Sequence, residues 1–115
     1  MDKNMNLTIK EIFNTAVKSH QKNNLHDAIK LYVKVIEANQ NYPKAYNNLG
    51  LIFIKLKDYQ KAKDYLKKAI EVDPKNIDAI NNLGGTFHLL GDHDEAKNCY
   101  EKAIEINSHD ALAYN

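Results

Sequence analysis

Residues 46–50 read YNNLG and residues 80–84 read INNLG, the second stretch lying 34 positions after the first. The same shift aligns residues 43–76 with residues 77–110, and fourteen of these 34 aligned pairs are identical. Self-similarity at such a period is typical of proteins built by stacking one small structural unit. A weaker copy lies one period earlier, so we predict three repeats, over residues 9–42, 43–76 and 77–110.

Each repeat carries two sets of apolar residues at helical spacing, which predicts two amphipathic helices. In the second repeat these sets are Tyr46, Leu49, Gly50 and Phe53, then Ala62, Leu66, Ala69 and Ile70. Gly91 suits the turn between two such helices, and Pro74 suits the end of the second. Two positions are small in every copy, which allows paired helices to approach closely: Ala16, Gly50 and Gly84, and Ala28, Ala62 and Ala96.

These repeats resemble the tetratricopeptide repeat family, in which a large residue, Leu, Gly, an aromatic, Ala, a large residue, Ala and Pro recur every 34 residues. The third repeat has Ser108 in place of Pro, and the first departs from the pattern at Thr15, Ser19, Val35 and Gln40. The resemblance covers residues 9–110. It implies an all-α fold, a right-handed α-solenoid of antiparallel helix-turn-helix repeats that serves as a protein-interaction module.

The two flanking segments are short. Residues 1–8 form a lead segment, and residues 111–115 read ALAYN, the first five positions of a fourth repeat. Solenoids need polar terminal caps for solubility. Because no cap is recognisable after residue 110, we expect a piece of a longer solenoid, or a last helix whose face is covered by another molecule.

The first helix of each repeat has a side that faces away from the core. Successive residues are about 100° apart, so positions 2, 5, 6, 9 and 12 share that side. In the family that the sequence resembles, this side lines the concave groove of the solenoid. The residues expected there are Lys10, Phe13, Asn14, Val17 and His20; Lys44, Asn47, Asn48, Leu51 and Ile54; and Asp78, Asn81, Asn82, Gly85 and His88.

Asn recurs at position 6 of each repeat, as Asn14, Asn48 and Asn82. A carboxamide has two donors and one acceptor, so it can pair with both backbone groups of an extended peptide, whatever that peptide's side chains. We expect a ladder of peptide-binding amides here; the alternative is that Asn is simply frequent in this chain. The expected peptide-binding site also includes four flanking polar residues, Lys10, Lys44, Asn47 and Asn81.

Four apolar residues lie on the same side of these helices: Phe13, Val17, Leu51 and Ile54. Contiguous exposed apolar surface usually marks an interaction site, so we expect these residues to anchor side chains of a ligand. The alternative is that they pack against residues 1–8 or against a neighbouring chain.

An acidic ligand is disfavoured by the groove residues. Relatives that bind chaperone tails hold the two carboxylates of an acidic peptide with basic and Asn residues. Only Asn48 matches that set here, the other positions being Phe13, Val17, Asp78 and Asn82. Asp78 would repel a ligand carboxylate where a Lys is expected.

Composition argues against several other functions. Sixteen basic residues against fifteen acidic ones give no net attraction for a phosphate backbone, so we expect no nucleic-acid partner. No segment approaches the roughly 20 apolar residues that span a membrane, and no secretory signal is recognisable. The single cysteine, Cys99, closes no intrachain disulfide, which fits a reducing compartment, and we expect a cytoplasmic protein without a membrane partner.

We expect no cofactor, no metal and no catalysis. His88, His93 and Cys99 are five and six positions apart, a spacing that matches no usual zinc site. No phosphate loop or nucleophile motif is present. Two alternatives remain for the function: the recruiting arm of a larger enzyme, of glycosyltransferase or sulfotransferase type, and a scaffold that forms homo-oligomers through exposed solenoid ends.

Overall fold

The computed structural model describes residues 8–113, with side chains as far as residue 109. These residues form six helices, α1 (Ile9–Gln21), α2 (Leu25–Ala38), α3 (Pro43–Lys55), α4 (Tyr59–Val72), α5 (Ile77–Leu89) and α6 (His93–Ala113), and no strand. The first helices of the repeats begin at residues 9, 43 and 77, and the second helices at 25, 59 and 93. Every helix start therefore recurs after 34 residues, and the predicted all-α repeat solenoid is confirmed.

The helices pack in chain order. Each first helix packs against the second helix of its own repeat, each second helix packs against the next repeat, and α3 also contacts α5. The radius of gyration is 15.6 Å, against about 13 Å for a compact chain of this length. The longer shape follows because each repeat contacts mainly its neighbours.

The three turns within repeats have the same backbone conformation. Asn23, Lys57 and Gly91 occupy the same repeat position and have φ angles of 63°, 64° and 82°. In the second turn the N–H of Asp58 donates to the C=O of Phe53 at 2.9 Å, the long hydrogen bond of a Schellman motif. A glycine adopts positive φ without strain, but only the third turn has one. The predicted role of Gly91 at a helix C-terminus is confirmed.

The small residues bring paired helices into close contact. A Cβ atom added to Gly50 would lie 2.6 Å from Cγ of Leu66, and one added to Gly84 would lie 2.8 Å from Cε1 of Tyr100. Ala28 of α2 and Ala62 of α4 are fully buried. The repeated small residues therefore set the separation of the helices, as predicted.

The last helix is longer than its counterparts. α6 has 21 residues and runs past Ser108 to Ala113, while α2 and α4 have 14 residues each. α4 ends two residues before Pro74, and α2 ends at Ala38 although Gln40 stands at the position of that proline, so the proline is not required to end the helix. Residues 111–113, expected to open a fourth repeat, instead continue α6. Residues 1–7 and 114–115, which hold most of the lead segment and the end of ALAYN, lie outside the described residues.

None of the helices described combines the length and the apolar character needed to cross a membrane.

Candidate functional site

Asn48 is held by a buried tyrosine. Its Nδ2 donates to Oη of Tyr32 at 3.2 Å, a contact between α3 and the second helix of the preceding repeat. The Tyr32 side chain is fully buried, and a buried hydroxyl requires a polar partner. The bond uses one of the two amide hydrogens of Asn48, so the other hydrogen and Oδ1 are available for a ligand. Asn48 is half-buried, with its orientation set from behind.

The same hydroxyl contacts a histidine of α1. Nδ1 of His20 lies 3.3 Å from Oη of Tyr32, and the two rings meet edge to face with centroids 6.0 Å apart. Burial and the positive charge of Lys55 lower the pKa of His20 below 6.5. Burial raises the pKa of Tyr32, an effect that the hydrogen bond from Asn48 opposes. At neutral pH His20 is therefore uncharged and Tyr32 is protonated.

Asn82 is held by a second amide. Its Nδ2 donates to Oδ1 of Asn47 at 3.0 Å, which joins α5 to α3. Both side chains are half-buried, while Asn14 and Asn81 are exposed. The structure therefore brings Asn47 and Asn82 together and leaves Asn14 and Asn81 facing solvent.

A polar cleft lies at the starts of α3 and α5. It has a volume of about 410 Å³. Its lining combines amides, one lysine and two carboxylates: Pro43, Lys44, Asn47, Asn48, Asp73, Asn76 and Asp78. Asn76 also caps α5, since its Oδ1 accepts from the N–H of Ala79 at 3.1 Å. Four of the expected groove residues, Lys44, Asn47, Asn48 and Asp78, thus line one cleft.

Three of the four apolar residues expected to anchor a ligand pack against the core of the chain. Phe13 contacts the rings of Tyr32 and Tyr42 with centroids 5.7 and 5.1 Å away. Val17 packs against the core shared by the first and second repeats, and Ile54 against the core shared by the second and third. Only Leu51 is exposed, at 37%. These three residues therefore contact the core of this chain, and the alternative of packing against residues 1–8 or a neighbouring chain stays a prediction.

The position of Phe13 has a physical reason. The first repeat has the polar residues Thr15 and Ser19 where the second has Leu49 and Phe53. Phe13 supplies apolar surface to the core that these substitutions remove. Lys10, at the start of the same helix, is exposed.

Two histidines meet at the turn between α5 and α6. Nδ1 of His88 lies 3.1 Å from Nδ1 of His93, and both side chains are exposed. Cys99 is half-buried, and burial together with the nearby charge of Glu95 raises the pKa of its thiol. Across residues 8–109, no group of three or more His, Cys, Asp or Glu side chains is placed to hold a metal ion.

Tyr32, Asp73 and Asn76 were not predicted as parts of the site. One signal was present for Tyr32: it occupies a core position where the next repeat has Leu66, and a buried Tyr needs a polar partner. Asp73 and Asn76 belong to the loop between repeats, whose path the helical periodicity does not specify. His20 was predicted on the groove side, but its contact with Tyr32 was not.

The chain matches two descriptions of one family, "Tetratricopeptide repeat" over residues 43–109 and "TPR repeat" over residues 19–57. A crystal structure of MamA has a TM-score of 0.88 and 25% identity, and the match covers 91% of this chain and 61% of that chain. The chain thus spans less than two thirds of that protein.

Two further similar structures contain a ligand. The first TPR of Spaghetti (RPAP3), bound to the HSP90 peptide SRMEEVD, has a TM-score of 0.82 and 21% identity over 85% of this chain and 78% of that chain. The second TPR of Spaghetti, bound to the same peptide, has a TM-score of 0.82 and 20% identity over 85% of this chain and 91% of that chain. No curated protein matches the sequence.

Proposed function

Because the chain belongs to the tetratricopeptide repeat family, we propose that it is a protein-interaction module that binds an extended peptide along the first helices of its repeats. The observation that carries the proposal is that two amides, on the first helices of neighbouring repeats, have their orientation fixed by another side chain. Asn48 is held by Tyr32, and Asn82 by Asn47, so neither side chain has to be ordered when a ligand binds. Preorganised groups lose less conformational entropy on binding.

The cleft also suggests which part of the ligand is recognised. Amides pair with backbone N–H and C=O groups and tolerate any side chain. Asn47 and Asn48 provide such groups on α3, and Leu51, one turn further along, offers the exposed apolar contact. We therefore propose that the ligand is read mainly through its backbone, with one apolar side chain near Leu51.

The acidic peptide of the Spaghetti structures is not the proposed ligand. Asp73 and Asp78 line the cleft, and Lys44 is its single basic residue. Like charges close together are unfavourable, so ligand carboxylates are disfavoured at this position. A neutral or basic segment is the better match.

Selection of a displayed library of random twelve-residue peptides against the chain tests the proposal. Fluorescence anisotropy then gives the affinity of a selected peptide for the wild type and for Asn14→Ala, Asn48→Ala and Leu51→Asp. Each lost amide contact should weaken binding about 2- to 10-fold. Asn98→Ala, an exposed amide on α6, is the matched control and should bind as the wild type does. Equal affinity for all variants would exclude the groove.

Self-association through α6 is a second candidate, because one apolar face of that helix is exposed within the described part of the chain. Tyr100 and Ile104 are 42% and 65% exposed, while Tyr32 and Leu66, which correspond to Tyr100, are fully buried.

The exposed side of α1 does not complement this face. The side of α1 equivalent to the buried Ala45, Leu49 and Ile52 carries exposed polar residues, Glu11, Thr15 and Lys18. Two copies would therefore meet through α6 on both sides, and not head to tail.

Sedimentation velocity at several concentrations tests this second candidate. Ile104→Lys should shift the protein to monomer, whereas the control Lys30→Glu, on α2, should not. A wild type that is monomeric at all concentrations would exclude self-association.

The recruiting arm of a larger enzyme, the absence of catalysis and the cytoplasmic location stay predictions.

A further inference from the structure

Tyr32 connects the cleft to the far end of α1. Its hydroxyl lies 3.2 Å from Nδ2 of Asn48 and 3.3 Å from Nδ1 of His20, so α1, α2 and α3 meet at one oxygen atom. The Tyr32 side chain is fully buried, and solvent does not replace either partner. A change at His20 can therefore reach Asn48 through a single group.

The hydrogen bonds in this set have a defined direction. The Asn48 nitrogen can only donate, so Oη of Tyr32 accepts that bond. The hydroxyl's own hydrogen then points to Nδ1 of His20, which accepts only while it carries no proton. The complete arrangement requires a neutral imidazole with its hydrogen on Nε2.

We propose that Tyr32 is the positioning residue of Asn48 and that protonation of His20 disturbs this positioning, so that the groove holds its peptide more weakly in acid. This inference rests on the proposed function. Once Nδ1 carries a proton it becomes a donor, and Tyr32 then faces two donors while its own hydrogen loses its acceptor. An unsatisfied buried donor is unfavourable, so the hydroxyl turns and Asn48 loses its fixed partner.

The groups that face the His20 imidazole favour its neutral form. They are the Tyr32 hydroxyl from α2 and the Lys55 ammonium from α3, whose Nζ also donates to Oδ1 of Asn23 at 2.7 Å. Burial and the charge of Lys55 both lower the pKa of His20. The neutral form is thus the resting form at neutral pH, and acid is the signal.

Nuclear magnetic resonance of the full chain between pH 7.5 and pH 4.5 tests the coupling without any peptide. The Asn48 side-chain amide signals should shift with the same midpoint as the His20 ring. The Asn82 amide, which bonds to Asn47 and not to a titratable group, is the internal control. Tyr32→Phe should abolish the Asn48 shift while His20 still titrates.

A second readout uses a peptide selected by display. Its dissociation constant should rise about 3- to 10-fold from pH 7.5 to pH 5 for the wild type, the effect of one hydrogen bond. His20→Gln offers a neutral acceptor that does not titrate and should therefore remove this rise between pH 7.5 and pH 5. An unmoved Asn48 signal while His20 titrates, or the same shift in Tyr32→Phe, would overturn the inference. If the Asn48 and His20 signals shift together but display selects no peptide that binds, the proposed function is refuted and the positioning of Asn48 by Tyr32 is not.

Discussion

Asn82 of α5 donates its side-chain amide to Oδ1 of Asn47 in α3, across 3.0 Å and between two repeats. Since both side chains are half-buried, the bond contributes to the contact of the second and third repeats. Asn47→Ala should lower the free energy of unfolding by about 0.5–1.5 kcal/mol. Urea denaturation measures this. Asn81→Ala, an exposed amide on the same helix as Asn82, should change stability by less than about 0.5 kcal/mol; an equal loss in both variants contradicts the assignment.

Gly50 and Gly85, in the first helices of neighbouring repeats, should respond to alanine in opposite directions. A Cβ atom at Gly50 would lie 2.6 Å from Cγ of Leu66, but the nearest atom to a Cβ at Gly85 is Oη of Tyr100 at 3.8 Å. Gly50→Ala should therefore destabilise the protein by about 1–3 kcal/mol through overpacking. Gly85→Ala should stabilise it by about 0.5–1 kcal/mol because alanine favours the helix. Thermal and urea unfolding of both variants decides; two changes of the same sign contradict the close approach at Gly50.

The turn at Lys57 should be improved by glycine. Lys57 has a φ of 64° and is exposed, and the equivalent residue of the third repeat is Gly91 at 82°. A side chain in the left-handed region costs about 1–2 kcal/mol. Lys57→Gly should therefore raise the free energy of unfolding by about 0.5–1 kcal/mol, while Gly91→Ala should lower it by about 1 kcal/mol. Unchanged urea midpoints in both variants would show that the turns are not strained.

The 34-residue period predicts the helix order, the small residues and the turn at Gly91, because each depends on local spacing or backbone conformation. Contacts between repeats follow less directly. Asn48 was predicted to face the groove and does line the cleft, yet its partner Tyr32 lies sixteen residues earlier in another repeat. No periodic pattern specifies such a pair.

Departures from the repeat were the least predictable features. Phe13 occupies a groove position in the pattern but is half-buried against the core, where Thr15 and Ser19 leave a shortage of apolar surface. α6 continues to Ala113, past Ser108, whereas α2 and α4 end two residues before the corresponding position, at Ala38 and Val72. Both features lie where the sequence departs from the repeat pattern.

Stability should decrease in mild acid through His20. Burial and Lys55 lower its pKa below 6.5, so the folded imidazole takes up its proton at lower pH than the unfolded one. Between these two pKa values the unfolded state binds more protons, and the free energy of unfolding falls as pH decreases. His20→Gln should reduce the loss of stability between pH 6.5 and pH 5, measured by urea denaturation. His26→Gln, at an exposed histidine, should retain the wild-type slope; equal slopes in all three proteins would contradict the role of His20.

Reversal of one charge should change the ligand preference of the cleft. Asp78 is exposed in the first turn of α5 and lines the cleft with Asp73. The acidic peptide SRMEEVD should not bind the wild type measurably, because these carboxylates repel it. Asp78→Lys removes one repulsive charge and pairs a second lysine with Lys44, so anisotropy with labelled SRMEEVD should detect binding that weakens with added salt.

Asp94→Lys is the matched control for this charge reversal. Asp94 is exposed in the first turn of α6, so both variants change the net charge and the helix start equally. Placing Lys in a first turn costs about 0.3–1 kcal/mol in either helix, which leaves both folded. If the cleft is the binding site, only Asp78→Lys gains affinity, since Asp94 lies outside the cleft lining. Equal gains would show that net charge alone attracts the peptide, and binding by the wild type would contradict the repulsion by Asp73 and Asp78.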